Sequence, residues 1–302
     1  MLVDEKLKDV VLFNPYLDEV VTIDKKGRDN SILSLWACSR HLSKLDFDVL
    51  INLHPNERCS FIDAMTSVKL RTGTTHKIFK WFWDVFTPLD RSMHAADMYL
   101  DVLQQLGVQD LSNNGLEIFP GEEHFLEAEL FWQEQNITDQ DKLIGFNIGS
   151  AVPTKRWPPE RFAEVADIFA AKGYKTVFFG GPMDEEMVAE ATGYMQTRPI
   201  IATGHFAIGG LAAAMRRCCL IITNDSGPMH VAISQKVPIV AMYGPSNPKL
   251  YGPYTKDAVI VTAQPPCQGC ADGMKHSCDD LQCMSRMTVE QVVAAAEKML
   301  EK

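Results

Sequence analysis

The residues best suited to chemistry lie in one segment, Ile221-Ile-Thr-Asn-Asp225-Ser226-Gly227-Pro228-Met-His230. An apolar run ends in Asn-Asp, a Ser-Gly turn follows, and Pro228 falls where a helix takes its first residues. Unpaired N–H groups at such a helix start, together with the helix dipole, form an anion site suited to a diphosphate. Gly227 lets phosphates approach closely, and Ser226 and His230 can donate hydrogen bonds to them. A plainer alternative has Asp225 or Ser226 capping the helix and His230 satisfied in a core. The coincidence of Asp, Ser, Gly and His on one turn favours the binding site.

Two further segments leave apolar runs at their carboxyl ends, the layer of loops where open α/β sheets bind ligands. Gly149-Ser150-Ala-Val-Pro-Thr-Lys155-Arg156-Trp157 brings cations that suit a phosphate. Lys155 is the stronger candidate; Arg156 reads better as a solvated charge, and Trp157 as packing for the helix that follows. Phe179-Gly180-Gly181-Pro-Met-Asp184-Glu185-Glu186 brings carboxylates that could take ribose hydroxyls. They could equally favour a helix N-terminus electrostatically.

These loops need a parallel sheet to hold them. Leu143–Gly149, Lys175–Gly180, Pro199–Ala202, Cys218–Thr223, Val237–Tyr243 and Ala258–Thr262 read as short apolar strands. Helices alternate with them over Glu160–Lys172 and Glu185–Met195 and from near Ile208 and Pro228. That alternation indicates βαβ units. In the first half, Glu19–Ile23, Asp48–Leu53 and Val68–Arg71 are strand candidates and Met93–Leu106 is a helix. Val289–Leu300 is a final helix that either domain could hold.

The chain has 302 residues. At roughly 100–200 residues per domain, that length predicts two domains. They are expected at 1–125 and 126–302, with the boundary in the turn-rich stretch after Asp110. A net charge of −10 argues against nucleic acid as the partner. No apolar run reaches the ~18 residues that a membrane span requires, and no export signal is expected at the start. Any membrane contact is therefore expected to be peripheral at most.

Taken together, the three loops resemble glycosyltransferase family 9, the heptosyltransferases of lipopolysaccharide synthesis. Asn224-Asp-Ser-Gly-Pro-Met-His230 and Pro238-Ile-Val-Ala-Met-Tyr-Gly244-Pro-Ser-Asn-Pro248 carry most of the likeness. Lys155-Arg-Trp-Pro, Gly180-Gly-Pro, Thr203-Gly-His-Phe and Ile51-Asn-Leu-His54-Pro-Asn-Glu-Arg58 support it, as does His94 before its helix. The resemblance implies an α/β, GT-B fold of two Rossmann-like domains facing across a cleft. It also implies a cytoplasmic enzyme at the inner membrane's cytoplasmic face. That enzyme would move heptose, with inversion and without a cofactor or catalytic metal, from ADP-heptose or a similar nucleotide diphosphate sugar to lipopolysaccharide core or a related glycan. By motif, Ser150 and Lys155 would meet the donor, Asp225 the heptose hydroxyls, and Ser226, Gly227 and His230 the diphosphate. Asp184 or Glu185 would take the ribose. His54 and Arg58 would face the acceptor, unless His54-Pro55 is only a strand-end turn.

The family opens with a strand, a glycine-containing loop bearing an aspartate, and a helix, and that aspartate is taken as the general base. This chain is expected to begin beyond that segment, at a helix over Asp4–Phe13, so that its N-terminal domain lacks the first strand and loop. Asp4 and Asp9 are poor substitutes, because a base must reach the acceptor hydroxyl. An enzyme cut short, a non-catalytic nucleotide-sugar-binding protein, and another activity on the same fold (an epimerase or a hydrolase) all remain open. Half of the eight cysteines, Cys267, Cys270, Cys278 and Cys283, cluster near the end. Their spacing fits a structural zinc site, disulfides or free thiols, with a structural loop favoured.

Overall fold

The structure, a computed structural model, describes residues 1–54, 56–74, 83–88, 90, 92–263, 278 and 280–301. It divides into two units, Met1–Lys8 with Leu17–Asn113, and Asp9–Tyr16 with Asn114–Lys302.

In the first unit, β1 (Leu2–Asp4) pairs in parallel with β2 (Val21–Ile23). The helix expected over Asp4–Phe13 is not formed as such. Leu2 and Val3 join the ladder to Val21 and Thr22. Asp4 then accepts the Lys6 N–H, starting a 3-10 turn that leads into the single turn α1 (Lys8–Val11). A second parallel sheet has the order β3 (Val49–Asn52), β4 (Leu70–Gly73), β5 (Val85–Phe86). Two helices that the sequence reading did not mark connect these strands, α2 (Ile32–Lys44) and α3 (Glu57–Met65). Each starts at a polar cap: Ser31 forms a capping box with Ser34, and Asn56 accepts the Cys59 N–H. Ile23, Leu35, Leu42 and Ile62 form their small shared core. Helix α4 (Ala95–Gln104) closes this unit.

The second unit begins with α5 (Glu122–Glu134), followed by β6 (Leu143–Asn147), α6 (Pro159–Ala171), β7 (Lys175–Phe179) and α7 (Glu185–Tyr194). Then come β8 (Ile200–Ile201), α8 (Ile208–Met215), β9 (Cys218–Asn224), α9 (Gly227–Ser234) and β10 (Ile239–Met242). The chain finishes with α10 (Pro248–Tyr251), β11 (Ala258–Val261), α11 (Gln282–Ser285) and α12 (Val289–Leu300). All six strands run parallel in the order β11-β10-β9-β6-β7-β8. Strand order therefore reverses between β6 and β9, and that switch point is where a doubly wound sheet opens a crevice for ligand.

Because both sheet faces are covered, the strands read as continuous apolar runs. Ile144, Phe146 and Ile222 pack on one face with Trp157, Phe162 and Val292, under α6, α7 and α12. Leu143, Val177 and Ile221 pack on the other with Trp132, Ala212 and Ala232, under α5, α8 and α9. The last helix thus belongs to the second unit.

A short strap, Asp9–Tyr16, also belongs to this unit. Asp9 Oδ2 accepts the Gly209 N–H at 3.1 Å and lies 3.5 Å from His124 Nε2. His124 Nδ1 accepts the Gly121 N–H at 3.0 Å. One carboxylate and one imidazole so cap two helix starts. Position 209 must be glycine, since a Cβ there would come 2.3 Å from His124 Cε1.

Candidate functional site

The switch point gathers the polar residues. Strand register sets Asn147 beside Thr223, and Asn224 beside Met242, so the ends of β6, β9 and β10 lie level. Lys155 Nζ approaches Asp225 Oδ2 to 2.7 Å, with the two side chains 14% and 7% exposed. The contact is a close charge pair without hydrogen-bond alignment, and among the described residues Asp225 Oδ2 accepts no well-aligned hydrogen bond. Water is largely excluded, which strengthens the attraction and makes either charge costly alone.

Asn224 is fully buried and joins the two loops: its amide donates to the Ile148 carbonyl at 2.7 Å, and its Oδ1 accepts the Trp157 N–H at 3.1 Å. Trp157 is buried edge-on against Phe162 and donates its indole N–H to the Met287 carbonyl, so it packs on α6 as expected. Arg156 is more than a solvated charge, because its Nε donates to the Ser150 carbonyl at 2.9 Å. The Lys155 loop is thus held in place through Arg156 and Trp157, which follow it.

Next to this pair, α9 starts at Gly227 and presents its first N–H groups, with Ser226 at the cap and His230 one turn in. A Cβ built on Gly227 would meet nothing within 4 Å, so the space above this helix start is open. Such an arrangement of amides, hydroxyl and lysine can hold an anion.

On the Gly180 loop the two acidic candidates separate. Asp184 Oδ2 accepts the Gly181 N–H at 2.9 Å, and its carboxylate fills the space that side chains on Gly149 and Gly180 would need. Asp184 is thereby occupied as a cap. Glu185 stays exposed beside the Thr203-Gly204 turn, close enough that a Cβ on Gly204 would lie 2.7 Å from its Oε1. Ser150 is buried, with its Oγ accepting the Val152 N–H at 3.3 Å.

Sequence reading overlooked three polar residues at this level. Asn147, Tyr243 and Ser246 are all buried at or just beyond strand ends. Among the described residues Asn147 Oδ1 and Ser246 Oγ, like Asp225 Oδ2, have no hydrogen-bond partner. Tyr243 donates to the Tyr251 carbonyl at 2.7 Å. Burial, and then the charge of Asp225, push its phenol well above the usual range. The available signal was a lone amide closing the apolar run Leu-Ile-Gly-Phe-Asn147.

In the first unit His54 is exposed, and its N–H donates to Asn52 Oδ1 at 2.6 Å. Arg58 donates to the Lys25 carbonyl at 2.5 Å and to Asn30 Oδ1 at 2.6 Å, tying down the loop after β2. His94 caps α4 by accepting the Ala96 N–H at 3.1 Å. Asp4 caps its turn and lies 3.9 Å from Lys25.

The amide that holds His54 is itself hydrogen-bonded to buried Asp63, whose pKa burial raises to about 6 against the Asn52 hydrogen bond and the Arg71 charge. A carboxyl raised in the folded state binds its proton longer than in the unfolded chain, so stability falls as pH rises from about 4 to about 6. Asp63→Asn is expected to remove that slope. Its advantage over wild type should grow to about 3 kcal/mol across the interval in denaturant unfolding. Parallel pH profiles for the two proteins would refute it.

Among the described residues no group of three or more His, Cys, Asp or Glu is arranged to hold a metal ion. Cys267 and Cys270 lie outside the described residues; Cys278 is exposed, and Cys283 is buried against Gly244. No helix among the described residues is long and apolar enough to cross a membrane.

The comparisons agree with this architecture. A glycosyltransferase family 9 structure from Veillonella parvula superposes with a TM-score of 0.94 at 52% identity, over 99% of this chain and 87% of that one. Escherichia coli ADP-heptose LPS heptosyltransferase II superposes with a TM-score of 0.78 at 20% identity, over 99% and 88%, and shares the GT-B fold. Lipooligosaccharide heptosyltransferase 2 of Haemophilus ducreyi is 34% identical over 43% of this chain and 40% of its own length. The matched stretch thus spans about two fifths of that curated relative. The family model for glycosyltransferase family 9 (heptosyltransferase) matches residues 35–278, most of the sequence. By that match, and by the sheet and loops that carry its motifs, the chain belongs to glycosyltransferase family 9, the heptosyltransferases.

Proposed function

We propose that this chain transfers heptose, or a similar sugar, from a nucleotide diphosphate donor such as ADP-heptose to lipopolysaccharide core or a related glycan. Transfer inverts the anomeric centre and uses no catalytic metal. The donor belongs to the second unit and the acceptor to the first, where His54 is the exposed candidate. The observation that carries this reading is the buried Lys155–Asp225 pair beside the open start of α9.

As the sugar departs it becomes cation-like, and negative charge builds on the leaving diphosphate. Lys155, Ser226 and the first N–H groups of α9 are fixed before reaction, so they stabilise that charge without reorganising. Asp225 takes the sugar hydroxyls, and Glu185, with its carboxylate exposed, takes the ribose in preference to Asp184. Two neighbours support the donor class: Escherichia coli WaaC structures contain ADP and a fluorinated ADP-heptose. The reading also fits a protein working at the cytoplasmic face of a membrane, touching it peripherally.

The test is incubation with ADP-heptose and heptose-deficient lipopolysaccharide, with and without EDTA. Expected is a glycan one heptose larger, with inverted linkage, at equal rates under both conditions. Donor bound without turnover would identify a binding protein. ADP released without glycan product would identify a hydrolase, and isomerised sugar an epimerase; each outcome overturns the proposal.

A further inference from the structure

We infer that Asn147 is a positioning residue that turns the Ser226 hydroxyl outward, so that Ser226 donates its proton to the diphosphate. The inference rests on the donor-site reading above and extends it to a residue on a different strand.

The protons available around Ser226 dictate this. Asn147 is fully buried, and its Nδ2 lies 2.8 Å from Ser226 Oγ and 3.2 Å from Thr223 Oγ1. Thr223 Oγ1 gives its own proton to the Asn224 carbonyl at 2.8 Å, so towards Asn147 it can only accept. Nδ2 also faces the Gly149 carbonyl at 3.5 Å. Turning the amide over would set Oδ1 against that oxygen, which fixes the orientation. Nδ2 is therefore the donor throughout: Ser226, the nearest acceptor, takes one proton, and Thr223 and the Gly149 carbonyl share the other.

Ser226 Oγ is then an acceptor on its buried side, and its single proton must point elsewhere. Among the described residues the acceptor on offer is the Asn224 carbonyl at 3.4 Å, which already receives the Thr223 proton. That contact is long and shared. An anion at the start of α9 would be a far better acceptor, because charge-assisted hydrogen bonds are shorter and stronger. Asn147 Oδ1, buried without a partner, points to the same conclusion: this pocket has polar capacity that the chain alone does not use. Asn147 touches no substrate in this account; it acts through Ser226.

The experiment is a double-mutant cycle read by calorimetric binding of ADP, with adenosine as the phosphate-free control. Ser226→Ala and Asn147→Ala should each weaken ADP binding about 10-fold or more, the size expected for a hydrogen bond to a charged group. Adenosine binding should not change. Combining them should weaken ADP binding no further than the stronger single substitution does. Effects that multiply, or an Asn147→Ala protein that binds ADP normally, would overturn the inference.

Asn147→Asp is the second variant: it keeps the shape of the side chain but accepts where asparagine donated, and unchanged adenosine binding shows whether its fold is kept. It should draw the Ser226 proton inward and lose ADP selectively, and adding Ser226→Ala should then cost nothing more. Full retention of ADP binding in Asn147→Asp would equally overturn the inference. Wild-type protein that binds no ADP would instead defeat the donor-site reading itself.

Discussion

Replacing Lys155 with alanine is expected to reduce sugar transfer by about a hundredfold or more, the usual cost of deleting one group that stabilises developing negative charge. The same change should also lower stability, because Asp225 is only 7% exposed and would lose its cation at 2.7 Å. Breaking a buried pair from one side costs about 3–5 kcal/mol, less whatever protonation of the carboxylate returns.

The two effects separate in the double substitution Lys155→Met with Asp225→Leu. With neither charge present there is no unpaired ion, so thermal stability should return to near the wild-type value. Transfer should stay abolished. Thermal unfolding and turnover measured on the wild type and these two variants decide the matter. Recovery of transfer in the double substitution, or retention of it in Lys155→Ala, would mean that the pair is merely structural.

Gly227→Ala is the second large effect, and it has the opposite signature. A Cβ at this position meets none of the described residues beyond its chain neighbours and its own helix backbone within 4 Å, and the backbone there needs no glycine conformation. Unfolding should therefore be unchanged within about 0.5 kcal/mol, as for substitutions that disturb no packing. Donor binding should nonetheless fall about tenfold or more, because the methyl group enters the space in which phosphate must contact the first amides of α9. Loss of stability would show that the glycine serves packing. Unchanged binding would show that no phosphate comes near.

The second unit was largely legible from sequence, for a physical reason. Its strands are largely buried on both faces, so Leu143–Asn147, Lys175–Phe179 and Cys218–Asn224 are mostly apolar runs that read clearly as strands. The site loops follow from those strands, since each must leave the sheet at its carboxyl end. The first unit was harder to read. Helix α2 mixes Ser34, Cys38 and Ser39 into its sequence, and Ile32 and Leu33 are exposed, so its apolar face does not advertise the buried one. The start was misread because Leu2–Asp4 gains its strand from pairing with Val21–Ile23, a partner that local pattern does not contain.

Polar pairing was the least legible feature. Asp184 was named from its type and Arg58 by motif; in the structure Asp184 caps its own turn and Arg58 donates to the Lys25 carbonyl and to Asn30. Asn147 was passed over because a single amide in an apolar run carries no spacing. Only the sheet register, which brings it beside Thr223 and within reach of Ser226, gives it meaning.

The central claim, a nucleoside diphosphate held between the loop after β6 and the start of α9, is tested most directly by the structure of the protein with ADP bound. The account predicts phosphate oxygens within hydrogen-bonding distance of the Ser226 hydroxyl, the Gly227 N–H and Lys155 Nζ, with the ribose towards Glu185. ADP bound with its phosphates away from Lys155 and the α9 start would contradict it.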